Sequence, residues 1–120
     1  MIHLNENGTV RLAGLQSEMD VAMYVVDRVL SAYGIQTVIT AGTEEFDKKG
    51  KLIHAINSYH PRGYALDFRD RNFPSELYPE ILRKMQGALH QISLAYDLEK
   101  EGNHLHIEFD LKKFWKLCKQ

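Results

Sequence analysis

Residues 95–110 read AYDLEKEGNHLHIEFD, and this stretch decides the fold. The pair Gly102-Asn103 suits the tight two-residue turn of a β-hairpin, and the residues on both sides of it alternate as they do in strands. If the turn has two residues, Glu101 lies directly opposite His104. The sequence therefore predicts an antiparallel hairpin centred on this turn.

One face of the predicted hairpin concentrates metal-ligating and acid–base side chains. Because side chains alternate along a strand, six such groups fall on the same face. They are Asp97, Glu99, Glu101, His104, His106 and Glu108. The opposite face carries Leu98, Leu105, Ile107 and Phe109, with Lys100 as its polar exception. Solubility alone would favour lysine on the polar face as well, so this face is a candidate site.

The rest of the chain adds helices and strands around the hairpin. Apolar periodicity and stop signals predict a helix at 15–33, strands at 37–41 and 64–69, and a helix at 76–94 that Ser75 caps. The polar segment 44–52 is predicted to be a surface loop, and the lysine-rich end of the chain a short helix. These elements indicate an α+β fold, in which a small antiparallel sheet carries the site and helices flank it.

Composition limits the class of protein. The 120 residues suit a single domain over residues 1–120, and 44% hydrophobic with 26% charged residues is typical of globular chains. A net charge of −1 without a basic cluster argues against a nucleic-acid partner. The single cysteine, Cys118, excludes an internal disulfide. The sequence shows no signal peptide and no long apolar run, so we expect a monomer made in the cytoplasm, without stable membrane association.

A second group of residues with metal-ligating side chains lies in and just before the predicted strand at 64–69. Residues 58–67 read SYHPRGYALD, where six residues separate His60 from Asp67 on the predicted strand. Gly63 would let the chain turn so that His60 comes back beside Asp67. These two residues and one histidine of the hairpin make a suitable set of ligands for catalytic zinc, because three protein ligands leave the fourth position for water.

The complete pattern resembles the LAS group of zinc peptidases. That group includes the D-Ala-D-Ala carboxypeptidases and dipeptidases and the L-alanyl-D-glutamate endolysins. The motif Ser-x-His-x-x-Gly-x-Ala-x-Asp, followed by a His-x-His pair, is filled here by Ser58, His60, Gly63, Ala65, Asp67, His104 and His106. The segment VITAGT at 38–43 is similar to the Thr-Ser-Gly segment of the group, and His54 stands at a spacing associated with phage-encoded members. The resemblance covers about residues 37–110.

The resemblance implies the metallopeptidase fold shared by the LAS and hedgehog proteins, bound Zn²⁺ and a role for each site residue. The implied zinc ligands are His60, Asp67 and His106. Glu101 is then the general base, and His104 is a neighbouring group that acts in the transition state. In members with a simple Glu-x-x-His motif, the alignment would instead make His104 the ligand. Glu99 is the alternative candidate for the base.

The implied substrate is a peptidoglycan stem peptide, cut at the bacterial cell wall after release from the cell or from a virion. Many members carry an arginine shortly after the Thr-Ser-Gly segment, whereas here the segment continues Gly42-Thr-Glu-Glu. Arg62, Arg69 and Arg71 are candidates for the missing positive charge. Three activities therefore stay open: an endopeptidase or endolysin, a D,D-carboxypeptidase or dipeptidase, and an inactive zinc-stabilised structural or cell-wall-binding domain.

Overall fold

Five strands form one sheet, in the order β1-β2-β3-β5-β4, in the computed structural model of the chain. The structure describes residues 2–5, 10–44, 51 and 58–119; His54 and most of the predicted loop at 44–52 lie outside these residues. The strands are β1 (Ile2–Leu4), β2 (Thr37–Ala41), β3 (Ala65–Arg69), β4 (Tyr96–Glu101) and β5 (His104–Phe109). The helices are α1 (Ser17–Ala32), α2 (Tyr78–Ile92) and α3 (Leu111–Cys118), with a 3-10 turn at Ser75–Leu77.

The hairpin forms in the predicted register. Glu101 pairs with His104, and Glu99 pairs with His106, around the two-residue turn. On the edge away from β4, β5 pairs antiparallel with β3, and this pairing places Asp67 directly opposite His106. Strand β3 is thus the element that joins the two halves of the predicted metal site.

The two long helices pack against the apolar face of the sheet. Leu105 and Ile107 of β5 are fully buried on that face, where they meet residues of α1 and α2. The helical residues in this core recur every three or four positions: Met19, Ala22, Val26 and Leu30 in α1, and Ile81, Met85 and Leu89 in α2. Burying each large side chain contributes roughly 1.5–3 kcal/mol, so the covered face stabilises the sheet, and the polar side chains of the hairpin lie on the other face.

Two features differ from the prediction. The sheet is mixed rather than antiparallel, because the short edge strand β1 pairs in parallel with β2. Ser75 does not cap a helix: its hydroxyl bonds the carboxylate of Glu76, and α2 begins three residues later, with Pro79 in its first turn. Proline is suited to that position, because the first helical N–H groups have no partner within the helix.

No helix in the described part of the chain has the length and apolar character needed to cross a membrane.

Candidate metal centre

His60 is fixed by a turn and by a backbone carbonyl. The Ser58 hydroxyl accepts a hydrogen bond from the His60 backbone N–H at 3.1 Å, so Ser58 shapes the turn. The ring is buried, and its Nδ1 lies 2.9 Å from the carbonyl oxygen of Gly42. Because a carbonyl only accepts, Nδ1–H donates to Gly42, and Nε2 is the ring atom directed at the site. Nε2 faces Oδ1 of Asp67 at 3.2 Å.

Gly63 permits the turn that carries His60. Its φ is +84°, and an added Cβ would lie 2.2 Å from the carbonyl oxygen of Gly14. Its N–H donates to the carbonyl of His60 at 3.0 Å, and its own carbonyl accepts from the Gln16 N–H at 3.0 Å. The segment before α1 therefore packs tightly against the His60 turn, and only glycine fits at this contact.

Gly42 is held in place by a buried carboxylate. Glu44 accepts hydrogen bonds from the Gly42 N–H, at 2.8 and 3.0 Å, and from the Arg11 N–H at 2.9 Å. A Cβ on Gly42 would lie 2.1 Å from the Arg11 carbonyl oxygen. This close contact positions the carbonyl that orients His60. In the sequence, Gly42 stands out only as part of a motif, and no pattern there predicts the role of Glu44.

The second histidine of the cluster comes from the neighbouring strand. Nδ1 of His106 lies 2.9 Å from Oδ1 of Asp67. Its Nε2 lies 2.8 Å from Oε1 of Glu108, two residues along β5 on the same face. A carboxylate only accepts, so Nε2–H donates to Glu108 and Nδ1–H donates to Asp67. Strand alternation predicts Glu108 on this face, but its contact with His106 is not predicted from the sequence.

The charges of this cluster shift its ionisation. Burial alone would raise the pKa of Asp67, but hydrogen bonds from His106 and His60 outweigh it and hold that pKa well below its ordinary value. Burial alone would lower the pKa of His106, but its hydrogen bonds with Asp67 and Glu108 raise it to about 10. At neutral pH Asp67 is therefore an anion and His106 a cation, so a metal that binds Nδ1 of His106 displaces the proton on that nitrogen.

Three side chains meet with the donor set of a metal site. His60, Asp67 and His106 each direct one ligand atom into a group in which all three atoms lie within 4.8 Å of one another. Nε2 of His60 and Nδ1 of His106 both contact Oδ1 of Asp67, at 3.2 and 2.9 Å. Both imidazoles are held through their other nitrogen, by Gly42 and by Glu108, as metal-ligating histidines usually are. Two imidazoles and a carboxylate fit a zinc ion.

His104 and Glu101 lie beside this group, on its solvent side. Nε2 of His104 is 3.5 Å from Oδ2 of Asp67 and 3.5 Å from Oε1 of Glu101. The same Glu101 oxygen is 4.0 Å from Nδ1 of His106. Asp67 thus directs one oxygen at His60 and His106 and the other at His104. Glu99 is exposed, and within the described residues it makes no ion pair with the cluster.

Two acids near Glu108, Asp97 and Asp110, have a structural role. Asp97 pairs with Lys113, whose pKa it raises, and Asp110 accepts a hydrogen bond from the Lys113 backbone N–H at 3.1 Å, which caps α3. The Tyr59 hydroxyl also donates to Asp110, at 3.5 Å. These contacts account for Asp97 and Asp110 without a ligand, and they fix the end of the hairpin that carries Glu108.

No protein-family model matches the chain, and a search of curated proteins finds no significant match either.

Proposed function

We propose that this chain is a zinc-dependent peptidase that hydrolyses the stem peptides of peptidoglycan. The observation that carries the proposal is the convergence of Nε2 of His60, Oδ1 of Asp67 and Nδ1 of His106 on one point. The resemblance of residues 37–110 to LAS peptidases supports the choice of metal, fold family and substrate class. On this proposal the helix-backed sheet is a minimal form of the LAS and hedgehog type of fold.

The geometry favours His106 over His104 as the third ligand. Nδ1 of His106 lies 2.9 Å from the same Asp67 oxygen that faces His60, whereas His104 faces the other oxygen at 3.5 Å. His106 also has the carboxylate partner on its second nitrogen that ligating histidines commonly have. His104 is a third exposed and lies where a substrate would approach.

Zinc bound there would polarise the scissile carbonyl and lower the pKa of an attacking water toward neutrality. Glu101 is the base that takes a proton from this water, because its carboxylate reaches the edge of the cluster and stays in contact with solvent. The C–O bond forms at the carbonyl carbon and the C–N bond breaks. Glu101 then delivers the proton to the leaving amine nitrogen.

His104 stabilises negative charge on the substrate. Its Nε2 lies between Asp67 and Glu101, so its ring faces the place where the carbonyl carbon would be attacked. An N–H donor at this point can bind the carbonyl oxygen as that oxygen gains charge in the transition state. Loss of one such donor costs on the order of 10²–10³ in rate in other hydrolases.

Digestion of purified bacterial sacculi tests the proposed activity. Mass spectra of the released muropeptides are compared for the wild type, for the wild type in EDTA with and without restored zinc, and for Asp67→Ala. We expect new fragments that disappear with EDTA, return with zinc and are absent for Asp67→Ala. Fragments from internal stem cleavage identify an endopeptidase acting as an endolysin, and loss of a terminal residue or dipeptide identifies a carboxypeptidase or dipeptidase.

A zinc-stabilised domain without turnover is the second candidate, for example a cell-wall-binding part of a phage virion. It is favoured by Glu44, whose buried carboxylate stands close to where many LAS members carry the substrate-binding arginine. This alternative predicts one zinc per chain and a melting temperature raised by zinc, with no new fragments from any type of sacculus. The same digestion therefore decides between the two.

A further inference from the structure

Arg69 is the last residue of β3 and shares the site face of the sheet. Side chains alternate along the strand, so Arg69 lies on the same face as Asp67, two residues earlier. It pairs directly with His104 across the β3–β5 ladder, and His104 pairs in turn with Glu101. Side chains directly opposite in such a ladder have Cβ atoms about 4.5–5.5 Å apart. Arg69 thus continues the row of site residues toward the other edge of the sheet.

The guanidinium of Arg69 has no anionic partner among the described residues. It is half-buried, and its one side-chain contact there is a 3.4 Å hydrogen bond from Nη2 to the amide oxygen of Asn5, at the end of β1. Two lysines near the same sheet differ in this respect, since Lys100 pairs with Asp70 and Lys113 pairs with Asp97. A guanidinium has five donors, so with one long neutral hydrogen bond Arg69 keeps solvent-accessible donors that an incoming anion can reach.

We propose that Arg69 binds a carboxylate of the peptide substrate, an inference that rests on the proposed peptidase function. A guanidinium presents parallel N–H groups that match the two oxygens of a carboxylate, and charge-assisted bonds of this kind are the stronger ones in proteins. Because Arg69 lies beside His104, it would orient the peptide with the scissile bond over His60, Asp67 and His106. The carboxylate of the peptide would then lie over the end of β3. Arg69 is therefore a residue that determines specificity, and it has no part in the proton transfers.

Peptide binding measured on an intact substrate tests this role. The probe is a synthetic stem pentapeptide ending in D-Ala-D-Ala, prepared with both carboxylates free, with only the C-terminal one converted to a carboxamide, or with only the D-glutamate one converted. Each peptide is titrated into zinc-loaded Glu101→Gln, and into the same variant with Arg69→Gln or Arg69→Lys. Arg83→Gln is the matched control, because Arg83 is an exposed arginine of α2, which packs on the opposite face of the sheet.

We expect Arg69→Gln to raise the Kd of the free-acid peptide about 10- to 100-fold, with unchanged zinc content and melting temperature. When Arg69 is present, amidation of the carboxylate that it binds should raise the Kd by a similar factor. In Arg69→Gln the same amidation should change the Kd little, and this difference identifies the bound carboxylate. Arg69→Lys should recover part of the affinity, and Arg83→Gln should leave the affinity of the wild-type arginine site unchanged.

Equal affinity of Arg69 and Arg69→Gln proteins for the free-acid peptide would overturn the assignment, as would an equal loss for all three peptides. The same peptides are also incubated with zinc-loaded protein that retains Glu101. Cleavage without an Arg69 effect leaves the peptidase and removes the role of Arg69. An Arg69-dependent binding preference without cleavage leaves the carboxylate site and removes the peptidase. If the peptides neither bind nor are cleaved, both proposals fail.

Discussion

Nε2 of His106 donates a hydrogen bond to Oε1 of Glu108 over 2.8 Å, while Nδ1 of the same ring faces Asp67. One strand thus supplies both an imidazole and the carboxylate that orients it. The two residues stand two positions apart, which places them on the same face of β5. A carboxylate in this position fixes the ring orientation and makes the opposite nitrogen a better metal ligand.

Glu108→Ala should weaken zinc binding by about 10- to 100-fold without preventing folding, because it removes the group that orients His106. Competition with a chromophoric chelator measures the affinity. Glu99→Ala is the control, since Glu99 lies opposite His106 on the neighbouring strand and is exposed. If both variants bound zinc as tightly as the wild type does, the contact with Glu108 would have no part in metal binding.

Glu101→Gln should reduce peptide cleavage by about 10²–10⁴-fold and leave zinc content unchanged, because the amide has the size of the acid but cannot take a proton. Rates on one stem peptide, with zinc content measured on the same samples, separate catalysis from metal loss. Glu99→Gln should keep most of the activity. The reverse result, with Glu99→Gln inactive and Glu101→Gln active, would transfer the role of base to Glu99.

The hairpin could be predicted in full because two short-range signals agree there. A two-residue turn fixes the register, and strand alternation then fixes the face of every side chain, so the pairs of Glu101 with His104 and of Glu99 with His106 are confirmed. The pairing of β3 with β5 is different. The sequence suggests that His60 and Asp67 act with a hairpin histidine, but only the tertiary register places Asp67 opposite His106.

Three features of the site and the fold could not be predicted correctly from the sequence. The Gly42 carbonyl that orients His60 is a backbone group, which every residue has, so composition cannot reveal it. Strand β1 has three residues, too few for a periodic pattern, and it exists through its pairing with β2. Ser75 has the residue type of a helix cap, but a 3-10 turn follows it and its hydroxyl bonds Glu76 instead.

Substitutions of two glycines should have opposite effects on stability. Gly63→Ala should destabilise the protein by about 2 kcal/mol or more, because φ is +84° and the new Cβ would overlap the Gly14 carbonyl. Gly87→Ala, in α2 with nothing within 4 Å, should stabilise it by about 0.5–1 kcal/mol. Urea denaturation of both variants measures the difference. A Gly63→Ala protein as stable as the wild type would mean that the His60 turn has another conformation.

Tyr96 should make stability depend on pH in the alkaline range. Its hydroxyl donates to the Glu18 carbonyl at 2.6 Å, and burial, together with the nearby Glu18, raises its pKa to about 12. An unfolded tyrosine ionises near pH 10, so the folded state favours the neutral phenol. The stabilisation is fully present below pH 10 and is lost as pH rises through about 12.

Denaturation of zinc-free wild type and Tyr96→Phe at several pH values tests this expectation. The difference in unfolding free energy between the two proteins should shrink between about pH 10 and pH 12. Tyr24→Phe serves as the control, since the Tyr24 side chain is 60% exposed. A difference that stays constant over this range would contradict the raised pKa of Tyr96.

Zinc stoichiometry, measured by native mass spectrometry, is the most direct test of the central claim that His60, Asp67 and His106 hold the metal. The wild type and His104→Ala should each carry one zinc ion per chain, while His60→Ala, Asp67→Ala and His106→Ala should each carry far less at the same free zinc concentration. Retention of zinc by His106→Ala together with its loss from His104→Ala would place the third ligand at His104. Absence of zinc from the wild type would contradict the account as a whole.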